Sequence, residues 1–246
     1  MDRAVLVRVV SVNPLRRDAL LRNAAVAASF SHPSFVPLVE IGESEDHDRL
    51  YLISDCVSGE TLRSMLNARR YTPRRSIDLT IQLAEAVADA HAADLVHADL
   101  KPEEIIITSK GDARILHIGL AAGNAEDRER RADGYMAPER ILGDGIDART
   151  DVFSLGAILF EMLTGGPPPV AGPAVHDVAD HPARNVPLSV TFGVRLATDL
   201  RTTLTTALAA NLDARCGSAA AFAAELRAVA AIMDLRARVS TSVPDA

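Results

Sequence analysis

Residues 95–104 read LVHADLKPEE, with a histidine, an aspartate and a lysine at alternate positions, His97, Asp99 and Lys101, followed by Glu104; a second histidine, His117, stands in ILHIG. Each type suggests a chemistry. An aspartate beside a hydroxyl can accept its proton, a lysine can neutralise an anion, and a carboxylate with an imidazole can hold a metal ion. Glu104 and His117 are an unusual pair for magnesium, which favours hard oxygen ligands, and two ligands make a weak site for manganese or zinc. Plainer roles stand beside these. Asp99 can be a loop-stabilising carboxylate, His97 a packed core histidine, and His117 a side chain that fills space.

Two β-prone runs, EEIIIT and ARILHIG, follow on either side of KGD. Upstream, AVLVRVV (4–10) and RLYLISDCV (49–57) are rich in β-branched residues and read as strands, with a helical DALLRNAAVAASF and a turn at SHPSF between them. After Gly59 the pattern turns helical. Thr72 and Pro73 form an N-cap and first-turn pair ahead of Ile77, Ile81, Ala84, Val87 and His91 at helical spacing. DVFSLGAILFEML is apolar nearly all round and ends at Gly165-Gly166, as a buried helix would. Ser218 can cap a last helix striped by Phe222, Leu226, Val229 and Met233, and GGPPPVAGPAVHDVADHPARNVP is a long connection.

With 246 residues, 48% of them hydrophobic, the chain can bury one large domain or two small lobes. A net charge of −7 argues against a general nucleic-acid binder. No run reaches the ~18 apolar residues of a membrane span and the N-terminus has no signal-peptide pattern, so the expected location is cytoplasmic. Cys56 and Cys216 are the only cysteines, read as free thiols. Lysine occurs only at 101 and 110, against abundant arginine. Arg63, Arg69, Arg70, Arg74 and Arg75 cluster between two apolar segments, as a solvated face or a docking site for an acidic partner.

Taken in order, VHADLKPEE, ILHIGLA, GYMAPER (134–140) and DVFSLGAILFEMLTG (151–165) resemble the motifs of protein kinases, especially bacterial serine/threonine kinases of the eukaryotic type. SHPSFVPL and YLISDCVSGETL resemble the segment after helix C and the hinge, so the likeness runs from about residue 3 to 230. It implies an α+β, two-lobed fold: a reduced N-lobe (1–57) with a truncated sheet, a mainly helical C-lobe (58–236) and a flexible tail (237–246). It also implies roles. Asp99 and Lys101 fall on the catalytic pair, and Glu104 and His117 on the metal-binding asparagine and aspartate. Arg8 falls on the strand lysine, Asp55 and Val57 on the hinge, and Ile106 on the floor of the nucleotide site.

The departures concentrate on the chemistry. No G-x-G-x-x-G precedes the first strand, Arg8 (or Leu6 in a shifted register) replaces lysine, and Asn23 stands where helix C would offer a glutamate. Ala98 replaces an arginine, and Ala132 the usual activation-segment threonine; residues 118–134 hold no Ser, Thr or Tyr to phosphorylate. Ser54 falls at the gatekeeper position. The architectural matches stay: Asp151 as the anchor of the catalytic loop, and Glu139 with Arg215 as a buried ion pair. The expected function is therefore a pseudokinase, a regulatory or protein-interaction module with no cofactor and a protein partner such as a kinase or signalling protein. The alternative is a weakly active serine/threonine kinase using ATP with an atypical divalent-metal site.

Overall fold

Strand β1 (Val5–Ser11) shows the period-2 alternation of a half-buried strand. Val5, Val7 and Val9 face outward at 43%, 50% and 54% exposure, while Leu6, Arg8 and Val10 turn inward. The structure, a computed structural model, describes residues 4–11, 14–68, 71–119, 133–169 and 194–241. β1 pairs antiparallel with β3 (Arg49–Asp55), which pairs on its other edge with β2 (Leu38–Glu43), giving the order β1-β3-β2. Helix α1 (Pro14–Ser29) packs Leu20 and Ala24 on Val10, Leu50 and Leu52.

The second sheet is smaller: β4 (Glu60–Thr61), β5 (Ile105–Ile107) and β6 (Ala113–Ile115). Neither β2 nor β4 was expected. Gly42, two glutamates and a register shift between Leu38 and Glu40 break the apolar alternation of β2, and β4 is two residues long. The sheets are tied through SHPSF: Phe35 bridges Ile115, Ile115 donates its amide to the Ser34 carbonyl, and Val36 donates to that of Ile115. Gly59 lets the chain cross between them, because a Cβ there would meet the Ile107 carbonyl oxygen at 2.4 Å.

The helices follow their sequence signals. α2 (Leu62–Ala68) leads to α3 (Pro73–Ala92), whose N-cap Thr72 accepts from the Arg75 amide and whose Ile77, Ala84 and Val87 are fully buried. A short α4 (Pro138–Leu142) precedes α5 (Ala148–Thr164), buried without a break from Thr150 to Met162. α5 opens with a capping box between Asp147 and Thr150 and closes on Gly165 at φ 88°, a left-handed cap that glycine adopts without strain. α6 (Val194–Ala207) and α7 (Ala219–Thr241) complete the bundle, with Ser218 capping α7 and Phe222, Leu226 and Val229 buried. α7 continues past the boundary expected at 236. Most of the Pro/Gly connection (170–187), Arg69, Arg70, Ala132 and residues 242–246 lie outside the described residues.

The result is the α+β arrangement that the motifs implied, a small three-stranded sheet with one helix joined to a mainly helical body.

Candidate active-site cleft

The loop carrying His97 to Lys101 is held from below. Asp151, on the first turn of α5 and wholly buried, accepts the amides of His97 (2.8 Å) and Ala98 (2.7 Å) and the Nε2–H of His91 (2.8 Å). These bonds fix Ala98 at φ 60°, a left-handed backbone that costs a residue with a Cβ about 1–2 kcal/mol. His97 is buried, donates Nε2–H to the Leu116 carbonyl (2.7 Å) and accepts the Asp99 amide at Nδ1 (3.3 Å). It is a structural strut between the loop and the strand end that carries His117.

Above this strut five of the expected site residues meet. Arg8 reaches in from β1, and its guanidinium donates to Glu104 Oε1 at 2.9 Å and to Asp99 Oδ2 at 3.3 Å. Lys101 Nζ lies 3.9 Å from the same Asp99 oxygen. His117 donates Nδ1–H to Glu104 Oε2 at 2.6 Å. Arg140 of α4, which the sequence reading passed over inside GYMAPER, donates to Asp99 Oδ1 at 2.5 Å. All four oxygens of Asp99 and Glu104 are therefore engaged by side chains of this chain.

Charge follows geometry. Burial pushes the Asp99 carboxyl up, but Arg140 and Lys101 outweigh it and hold the group below the usual carboxylate range. Burial likewise raises Glu104, and the bond from His117 together with Arg8 brings it below. Asp133 goes the other way: burial lifts its carboxyl above the ordinary range despite the amides of Tyr135 and Met136 that it accepts.

The remaining expected residues sit apart from this network. Asp55 ends β3 opposite Val5, with its amide donating to the Pro37 carbonyl. Val57 is half-buried in the connection to β4, and Ile106 on β5 lies against Gly59. Asn23 is exposed on α1 and is not a partner of Arg8. Ser54 is buried in β3 between Leu6 and Leu38.

The donor set does not suit magnesium. Both Glu104 oxygens and the Nδ1 of His117 are already paired, and the free ring nitrogen, Nε2, is an imidazole nitrogen buried without a hydrogen-bond partner among the described residues. His117 adopts φ 58°, a region in which histidine is enriched among non-glycine residues. No group of three or more His, Cys, Asp or Glu side chains placed to hold a metal occurs among the described residues.

A second polar cluster adjoins the cleft. Arg63 on α2 donates to Glu103 (2.7 Å), Glu161 (2.6 Å) and the Tyr135 hydroxyl (2.5 Å), and that hydroxyl donates to Glu161. Burial pushes the Tyr135 phenol up and the bond to Glu161 adds to it, so the group stays protonated. On α4, Glu139 takes two bonds from Arg215, at 2.7 and 2.9 Å, and one from the Thr150 hydroxyl.

This layout can be set beside known proteins. The protein kinase domain profile matches residues 6–222. Serine/threonine-protein kinase PknB of Mycobacterium tuberculosis is 31% identical over 242 residues, covering 92% of this chain and 38% of the relative. A probable serine/threonine-protein kinase of Streptomyces coelicolor, SCO3848, is 29% identical over 232 residues, covering 86% and 34%. PknH of Mycobacterium bovis is 33% identical over 180 residues, covering 70% and 30%. The chain thus spans well under half the length of these relatives. With the match reaching from the strand that carries Arg8 to the helix that carries Phe222, the chain belongs to the protein kinase family.

Proposed function

We propose that this chain is a pseudokinase module, a kinase-shaped surface that binds a protein partner and does not transfer phosphate. What supports the reading is the position of Arg8. In a kinase the carboxylate at Asp99 must be free to accept a hydroxyl proton, and the residues at 104 and 117 must offer oxygens to a metal. Here a guanidinium from β1 lies across Asp99 and Glu104, Arg140 takes the other Asp99 oxygen, and His117 takes the other Glu104 oxygen. A paired, low-pKa aspartate is a weak base, and an imidazole is a poor magnesium ligand.

The architectural ties are kept at the same time. Asp151 and the Glu139–Arg215 pair hold the loop and α4 in place, so the surface that surrounds the cleft persists without its chemistry. The test is phosphate transfer from radiolabelled ATP, with magnesium or manganese, to the protein itself and to a generic basic substrate. No incorporation above the Asp99→Asn control is expected. Incorporation that disappears in Asp99→Asn overturns the reading in favour of a weakly active serine/threonine kinase, in which Asp99 and Lys101 act as the catalytic pair.

A further inference from the structure

Of the basic cluster of residues 63–75, the described arginines Arg63, Arg74 and Arg75 separate in the fold. Arg63 is spent on Glu103, Glu161 and Tyr135, and Arg74 on Asp78, Asp234 and the Ala230 carbonyl. Arg75 differs. Its guanidinium donates only to the Gly111 carbonyl, at 2.8 Å, and it has no carboxylate partner among the described residues. It stands at the rim of a cavity of about 330 Å³ between α2, the start of α3 and the β5–β6 turn. Met65, Tyr71 and Ile107 give the cavity its apolar lining, with Met65 and Ile107 buried and the Tyr71 hydroxyl turned onto the Met65 sulfur. Thr72 and Thr108 supply hydroxyls at the rim. No acidic side chain lines it among the described residues. Lys110, on the turn beside it, has no ion pair among the described residues, and Asp112, the one acid of that turn, does not line the cavity.

We infer that this cavity is a docking site for an acidic peptide segment that inserts one apolar side chain. Its volume falls at the low end of the roughly 300–1,000 Å³ of ligand pockets, which suits one or two side chains and not a large cofactor. The apolar lining rewards insertion of a leucine-sized group, and the uncompensated positive rim selects what flanks it. The chain as a whole carries −7, which disfavours an acidic segment on average, and Arg75 with Lys110 supplies local attraction at this cavity. The inference rests on the binding-module reading for its purpose and names the chemistry of the partner. The cavity belongs to the helical body and shares no residue with the Asp99–Glu104 network.

The test uses the full chain without ATP, so that its outcome is separate from phosphate transfer. The probe is a fluorescein-labelled peptide with a central leucine flanked on both sides by glutamate and aspartate, titrated by fluorescence anisotropy. Saturable binding is expected, weakening with salt. Arg75→Glu should weaken it by about tenfold or more, since it exchanges an attraction for a repulsion. Ser109→Glu, which adds charge at the rim without touching the Arg75 bond, should weaken it in the same direction. Replacing the central leucine by serine should cost roughly tenfold, the worth of one buried aliphatic side chain. Absence of saturable binding, indifference to both charge variants, or equal binding of the serine peptide overturns the proposal.

Discussion

Arg215→Ala is the perturbation whose size the structure lets one work out most fully. The guanidinium has five N–H donors, and all are used: Nε on the Ala209 carbonyl, one terminal nitrogen on Glu139 Oε1 and the Arg149 carbonyl, the other on Glu139 Oε2 and the Ala210 carbonyl. The side chain is wholly buried and also lies over the ring of Phe153. Truncation strands the Glu139 carboxylate, 4% exposed in the intact protein, with the Thr150 hydroxyl and its own amide as its remaining partners. Removing one partner of such a pair costs about 3–5 kcal/mol, most of it the stranded charge. For a chain of this size that lowers Tm by roughly 6–20 °C, at about 2–4 °C per kcal/mol. Chemical denaturation of the wild type and Arg215→Ala, with Glu139→Ala and the double variant to close the cycle, measures both the loss and the coupling. A loss under about 1 kcal/mol, the range of an exposed pair, would refute the burial argument.

Four further outcomes are expected. Asp151→Asn replaces a carboxylate that accepts three N–H groups by an amide that must turn a donor toward one of them, so stability should fall by about 1–3 kcal/mol for each donor left unpaired, read by denaturant unfolding. Acid should unfold the protein as Asp99, Glu104 and Glu139 protonate. Their folded pKa values are lowered, so their contribution is present above the unfolded range near pH 4 and is lost as pH falls through the folded values. Asp133 has the opposite sign, stabilising only while protonated, so Asp133→Asn should gain stability at neutral pH and none near pH 3; a gain at both ends would refute this. Millimolar Mg-ATP should shift Tm no more than a salt of equal ionic strength, by differential scanning fluorimetry; a saturable, divalent-dependent shift would show that the nucleotide displaces Arg8.

Helices α3, α5 and α7 were readable because each carries a boundary signal of its own, whereas α2, α4 and α6 were not read. Thr72-Pro73, Ser218 and Gly165 are local signals, and the stripes on α3 and α7 need no knowledge of what they face. β2 was not readable, since its pairing with β3 includes a register shift and only Leu38 is deeply buried. In the cleft, Asp99, Lys101, Glu104 and His117 lie within one stretch of sequence, and the resemblance brought them together before any coordinates did. What Arg8 does there was hidden. Its partners lie 91 and 96 residues away, and strand alternation says only that it points inward. Arg140 was hidden for a related reason. It follows Glu139 directly, yet the two point to different partners, one toward the cleft and one toward Arg215. The arginine cluster illustrates the converse, where composition suggested one basic face and side-chain reach divided it.

The Asp99–Glu104 network also shows how buried carboxylates can be balanced by the chain's own cations. The largely buried carboxylates of Asp99 and Glu104 repel each other, a repulsion that the asparagine the resemblance implies at 104 would not create. Here Arg8, Lys101 and Arg140 supply the positive charge from within the chain, with His117 donating the remaining bond. A tethered guanidinium has an advantage over a free ion, since its entropy of localisation is met once on folding and its local concentration does not fall with dilution. On the reading proposed above, a metal–nucleotide complex that engaged Asp99 and Glu104 would have to displace the two Arg8 bonds, worth about 1.5–3 kcal/mol each when charged groups are involved. Unless Arg8 finds equal partners on the phosphates, that weakens binding by roughly two to four orders of magnitude, at about 1.4 kcal/mol per tenfold. The same bonds join β1 to the loop below, so they also fasten the small sheet to the helical body.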